Sequence, residues 1–73
     1  MAEHITIQTD QGALRLPCGS TLDDALAHLL SPHQHPQQVA TAVNGRFVPR
    51  GERHLHVLAE GDTVLCFAPI TGG

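Results

Sequence analysis

The chain has 73 residues and a formal charge of −3, with four arginines, no lysine and two phenylalanines. One domain of this size buries only about 60 % of its unfolded surface, which leaves little room for a deep catalytic cleft. The charge and the scarcity of aromatics argue against nucleic-acid binding. No apolar run approaches a membrane span, and Cys18 and Cys66 form neither a CxxC nor a disulfide framework.

Ile5 and Ile7 alternate with Thr6 and Gln8, the pattern of a half-buried strand. Asp10-Gln11-Gly12 reads as a turn, and Leu14 and Leu16 alternate with Ala13 and Arg15 in a second strand ending at Pro17. The short connection predicts an antiparallel hairpin. Ser20 or Thr21 can cap a helix, with Asp23 and Asp24 favourable to its dipole. Leu22, Ala25, Leu26, Leu29 and Leu30 then give it one apolar face. Pro32 and Pro36 end the pattern, and residues 31–38 read as a polar loop.

Val39 to Val43 is expected as a third strand, turning at Asn44-Gly45, the strongest turn signal in the chain. Phe47-Val48 continues briefly before Pro49-Arg50-Gly51. Leu55, Val57 and Leu58 are apolar points in an irregular segment, and Glu60-Gly61-Asp62 turns into a last strand from Thr63 to Ala68. A single helix among strands in so short a chain must pack on one face of one mixed sheet. With the apolar last strand placed centrally beside the first, this is an α+β, β-grasp (ubiquitin-like) architecture of four to five strands. The expected core is Ile5, Ile7, Leu14, Leu16, Leu22, Leu26, Leu29, Val43, Leu58, Val64 and Cys66.

The chain stops at Gly72-Gly73. At the usual glycine frequency, two in a row at the end arise by chance about once in 200 chains. Glycine has no Cβ and free choice of φ and ψ, which suits a backbone that must thread a narrow channel. The expected division is a domain over residues 1–68 and a flexible tail over 69–73.

Four segments carry a family resemblance over nearly the whole chain: Cys18-Gly19-Ser20-Thr21-Leu22, Ala42-Val43-Asn44-Gly45-Arg46-Phe47-Val48-Pro49-Arg50, Leu58-Ala59-Glu60-Gly61-Asp62, and the tail. The chain resembles the ubiquitin-like sulfur carriers, above all the ThiS type of thiamine biosynthesis. Val-Asn-Gly-x-x-Val-Pro-Arg is the most specific piece, while Glu-Gly-Asp is shared across the wider superfamily. The ending Phe67-Ala68-Pro69-Ile70-Thr71-Gly72-Gly73 looks more like the small subunit of molybdopterin synthase, which is an alternative reading. A third is a non-catalytic β-grasp interaction module.

The resemblance implies a protein carrier and not an enzyme. Gly73 would be adenylated and converted to a thiocarboxylate, with Ile70, Thr71 and Gly72 threading the partner's active site. ATP would be used by an adenylating (ThiF-like) partner, and no cofactor would be bound by the carrier. The sulfur would come from a donor such as a cysteine desulfurase and pass to a thiazole synthase (ThiG-like). Neither nucleic acid nor membrane is expected as a partner. Met1 to Thr6 carries no secretory pattern, so a reduced cytoplasmic protein is expected.

Along the last strand Val64, Cys66 and Ala68 form one side-chain set, and Leu65 and Phe67 the other. In the ubiquitin-like arrangement the first set faces the helix. Leu65 and Phe67 are then the expected partner-binding residues on the open face; the alternative places Phe67 in the core, where large aromatics usually lie. Other signals are weaker. His33/His35 and His54/His56 have a spacing that can hold Zn²⁺, but they fall in polar or irregular segments where solvated histidines are expected, so no metal site is assigned. Cys66 is expected as a small core residue and not a relay thiol. Arg46, Arg50 and Arg53 would meet an acidic partner or form a solvated face.

Overall fold

The computed structural model describes residues 3–30, 35 and 38–67. Strands β1 (His4–Thr9) and β2 (Gly12–Pro17) form the expected antiparallel hairpin, with Ile5 opposite Leu16 and Ile7 opposite Leu14. The helix α1 (Leu22–Leu29) begins at Thr21. The Asp24 backbone N–H donates to Thr21 Oγ1 (3.4 Å) and the Thr21 N–H donates to the Asp24 carboxylate (2.9 Å). This reciprocal capping box satisfies two of the donors that a helix start leaves open. Leu30 is already extended and lies just outside the helix.

Strands β3 (Ala40–Val43) and β4 (Arg46–Val48) form a second hairpin across Asn44-Gly45. Both turn residues have positive φ, 53° and 83°, the backbone that a two-residue hairpin of matching twist needs. A 3-10 helix (Arg50–Leu55) follows, where the sequence shows no regular period, and then β5 (Thr63–Phe67). The sheet order is β2-β1-β5-β3-β4, with β5 parallel to β1 and antiparallel to β3. The last strand is therefore central, beside the first, in the expected β-grasp arrangement.

The two turn motifs hold each other. Asn44 Nδ2 donates to Asp62 (3.0 Å), and the Thr63 N–H donates to Asn44 Oδ1 (2.9 Å). The other Asp62 carboxylate oxygen accepts from the Ala59 N–H (2.8 Å). Asn44 thus tolerates its left-handed backbone and fixes the entry to β5 at once. The Glu-Gly-Asp turn is tied to β1 as well, through Gly61 N–H to Thr6 O and Gln8 N–H to Asp62 O, both 2.8 Å.

The core lies between the sheet and α1. Ile5, Ile7, Leu16, Leu22, Leu26, Leu29, Val43, Leu58 and Val64 are buried as expected. Ala25, Val39 and Val48 join them. Leu14 and Cys66, expected in the core, are only partly buried against it.

Arg53 corrects the expectation that it faces solvent or an acidic partner, for it is only 2 % exposed. The 3-10 helix turns it inward, where Nη2 donates to Val39 O (2.5 Å) and Nε donates to Thr41 Oγ1 (3.1 Å). Leu55 and Val57, by contrast, are exposed, and of that segment's three apolar residues Leu58 alone is buried. No described helix is long and apolar enough to cross a membrane.

Candidate functional site: the open face of the sheet

Side chains alternate across a pleated sheet. Ile5 and Ile7 of β1, Thr41 and Val43 of β3, Val48 of β4 and Val64 of β5 are buried on the helix side. The intervening residues lie on the other face. Over β1 and β2 that face is mostly polar: His4, Thr6, Gln8 and Arg15, with Arg15 Nη2 3.5 Å from His4 Nδ1.

Over β5, β3 and β4 it is apolar. The register sets Ala42 between Leu65 and Phe47, and Ala40 opposite Phe67. The two small β3 residues leave both rings uncovered, with Phe67 52 % and Phe47 67 % exposed. Leu65 between the strands is half-buried. Phe67 is therefore a surface ring and not a core ring. Two exposed phenylalanines around a leucine and two alanines form a contiguous apolar patch on the open face.

Phe47 belongs to this patch, although the sequence reading took only Leu65 and Phe67. Its face follows from Asn44-Gly45: a two-residue turn after Val43 sets Phe47 across from Ala42. Placing Ala42 beside Leu65 takes the further, non-local pairing of β3 with β5.

The proposed attachment residue Gly73 and the threading residues Gly72, Thr71 and Ile70 lie outside the described residues. In sequence, residue 68 follows directly on Phe67, the last residue of β5 and part of the patch.

The cysteines differ. Cys18 is exposed at the turn after β2. Cys66 is half-buried beside Thr41. Burial pushes its thiol above the ordinary range, the Asp10 charge adds to this, and the Arg53 guanidinium opposes it. A thiol held protonated is a poor nucleophile, so the environment of Cys66 suits packing.

Among the described residues no three or more His, Cys, Asp or Glu gather as metal ligands. His35 and His54 are exposed and His56 is half-buried, while His33 lies outside the described residues. Arg46, the first residue of β4, and Arg50, two residues beyond its end, are both exposed.

The fold is shared with the thiamine biosynthesis protein ThiS from Geobacter metallireducens, whose crystal structure superposes with a TM-score of 0.76. The match covers 94 % of this chain and 100 % of that one at 15 % sequence identity. No curated protein matches the sequence significantly. A sequence model of the ThiS family matches residues 2–73, from the first strand through the terminal Gly-Gly. The chain belongs to the ThiS family, a family of small sulfur-carrier proteins.

Proposed function

We propose that this carrier is loaded with sulfur at Gly73 and delivers it for thiazole formation in thiamine biosynthesis. The observation that carries the reading is the family match, which runs through Gly72-Gly73. A free carboxylate is a poor electrophile because oxide is a poor leaving group. An oxygen of the Gly73 carboxylate would attack the α-phosphorus of ATP, forming an acyl-adenylate and releasing pyrophosphate. Sulfide would then attack the acyl carbon and expel AMP, which leaves a thiocarboxylate; a donor persulfide would instead give an acyl disulfide, from which a thiol releases the thiocarboxylate by forming a disulfide with the donor sulfur.

None of these steps needs a catalytic side chain or a bound cofactor on the carrier. The groups that steady phosphoryl charge belong to the adenylating partner, which consumes the ATP. The carrier supplies the thread, Ile70 to Gly73, and a docking face, Leu65 and Phe67 with Phe47. The partners are an adenylating enzyme, a sulfur donor such as a cysteine desulfurase, and a thiazole synthase. The setting is the cytoplasm, where the thiols of Cys18 and Cys66 stay reduced.

The test is mass spectrometry of the intact carrier after incubation with ATP, a sulfur source and the adenylating enzyme. Exchange of one oxygen for one sulfur is expected. Deleting Gly73, or adding a residue after it, should abolish the exchange with the fold unchanged. Exchange in the extended, untrimmed variant would remove Gly73 as the acceptor.

The ending Phe67-Ala68-Pro69-Ile70-Thr71 favours a second reading, the small subunit of molybdopterin synthase. The loaded carrier should therefore be offered both to a thiazole synthase with its substrates and to a molybdopterin-synthase large subunit with its pterin precursor. Turnover in only the second mixture would promote that reading.

A further inference from the structure

Strand β4 has only three residues and, among the described residues, lies at the edge of the sheet with one neighbour. A slip of one residue in its register would move every side chain of the strand to the other face. Such a slip would carry Phe47 off the patch and turn Val48 out of the core.

The Asn44-Gly45 turn pins one end of the pairing. At the other end Thr41, which is fully buried, donates from its hydroxyl to Val48 O (3.2 Å). Arg53 reaches that same hydroxyl with Nε, and the Val39 carbonyl with Nη2. The chain thus leaves β4, makes one short 3-10 helix, and returns a guanidinium to the strand that β4 pairs with. Arginine suits this because its fork of N–H donors is planar and pre-organised. Being almost wholly buried, it does not itself meet a partner.

We propose that Arg53 is a positioning residue for docking: by gripping Val39 O and Thr41 Oγ1 it locks β4 in the register that keeps Phe47 beside Leu65 on the open face. The proposal rests on the reading of that face as the docking surface.

The test compares Arg53→Met and Thr41→Val with the parent protein. Each removes donors or acceptors of the network: Thr41→Val nearly keeps the side-chain shape, and Arg53→Met keeps an unbranched apolar stem in place of the guanidinium. The measurements are amide hydrogen exchange in the free carrier at Arg46 and Val48, whose N–H groups face β3 in this register, and the dissociation constant for the adenylating enzyme. Both variants should fold, exchange faster at these two amides, and bind about tenfold more weakly, equivalent to about 1.4 kcal/mol.

The decisive readout is the combination with Phe47→Ala. If Arg53 acts through Phe47, adding Arg53→Met to Phe47→Ala weakens binding no further. A folded Arg53→Met protein with full affinity, or a loss that adds fully to that of Phe47→Ala, overturns the proposal. Should Arg53→Met fail to fold, Thr41→Val decides by the same two criteria. Full affinity of Phe47→Ala overturns the proposal while Phe67→Ala still tests the docking face; full affinity of both single variants overturns the docking face itself.

Discussion

The two faces of the sheet are built from the same five strands and differ in what covers them. On one side Ile7, Leu16, Val43 and Val64 pack under α1 and Leu58 closes the edge of the core. On the other, Phe47 and Phe67 are large apolar side chains left 67 % and 52 % exposed. Burial of a large side chain contributes about 1.5–3 kcal/mol, so the covered face secures the fold. The open face leaves apolar surface of this kind uncovered, available to the docking proposed above. The difference teaches that position in the pleat, not residue type, separates the side chains that hold the fold from those left for the proposed docking.

Substitutions on each face should separate the two roles. The largest effect is expected on the covered face, where Leu26→Ala should lower stability by about 2–5 kcal/mol, read as a shift of the chemical-denaturation midpoint. An unmoved midpoint would show that α1 does not pack there. On the open face, Phe67→Ala should cost about 2 kcal/mol or more of binding to the adenylating enzyme, while its stability changes by under about 0.5 kcal/mol. The comparison breaks if calorimetry and denaturation return the reverse ranking.

Two smaller changes probe the connections that set the faces. Asn44→Gly keeps the permitted backbone but loses the bonds to Asp62 and Thr63, and should destabilise by about 1–2 kcal/mol. Asn44→Ala should be worse, because alanine also resists the positive φ; equal losses would mean that the backbone conformation contributes little. Thr21→Ala removes the helix cap and should cost about 1 kcal/mol, with binding unaltered. A binding loss in that variant would tie α1 to the docking face, contrary to the division drawn above.

The features that were legible in the sequence are those fixed by local pattern. The hairpin of Ile5, Ile7, Leu14 and Leu16 follows from alternation, and α1 from its apolar spacing and cap. The open-face placement of Leu65 and Phe67 follows from Val64 being buried one residue away. What escaped depends on pairings distant in the chain. Asn44 was legible as a turn but not as the partner of Asp62, eighteen positions on. Arg53 looked like any polar residue after a proline and a glycine, because a 3-10 helix of six residues leaves no periodic trace. Phe47 needed two successive registers, β4 on β3 and β3 on β5, before its neighbours could be named. The Gly-Gly ending was the plainest signal of function, and it is the part whose role rests on chemistry and family.

The central position of β5 also governs how the fold assembles. The β1–β2 and β3–β4 hairpins are local and can form as soon as each is synthesised, but among the described residues they are joined in the sheet through β5. That strand follows all the others in the chain, and its parallel contact with β1 spans more than fifty residues. Closing so long a loop comes before the contacts that repay it, which slows folding relative to a meander of the same size. Until it closes, Ile7 and Val43 have no strand between them, and the edges facing the gap are open to other chains. Substitutions at Val64 or at the Asn44–Asp62 link should therefore slow folding as well as lower equilibrium stability.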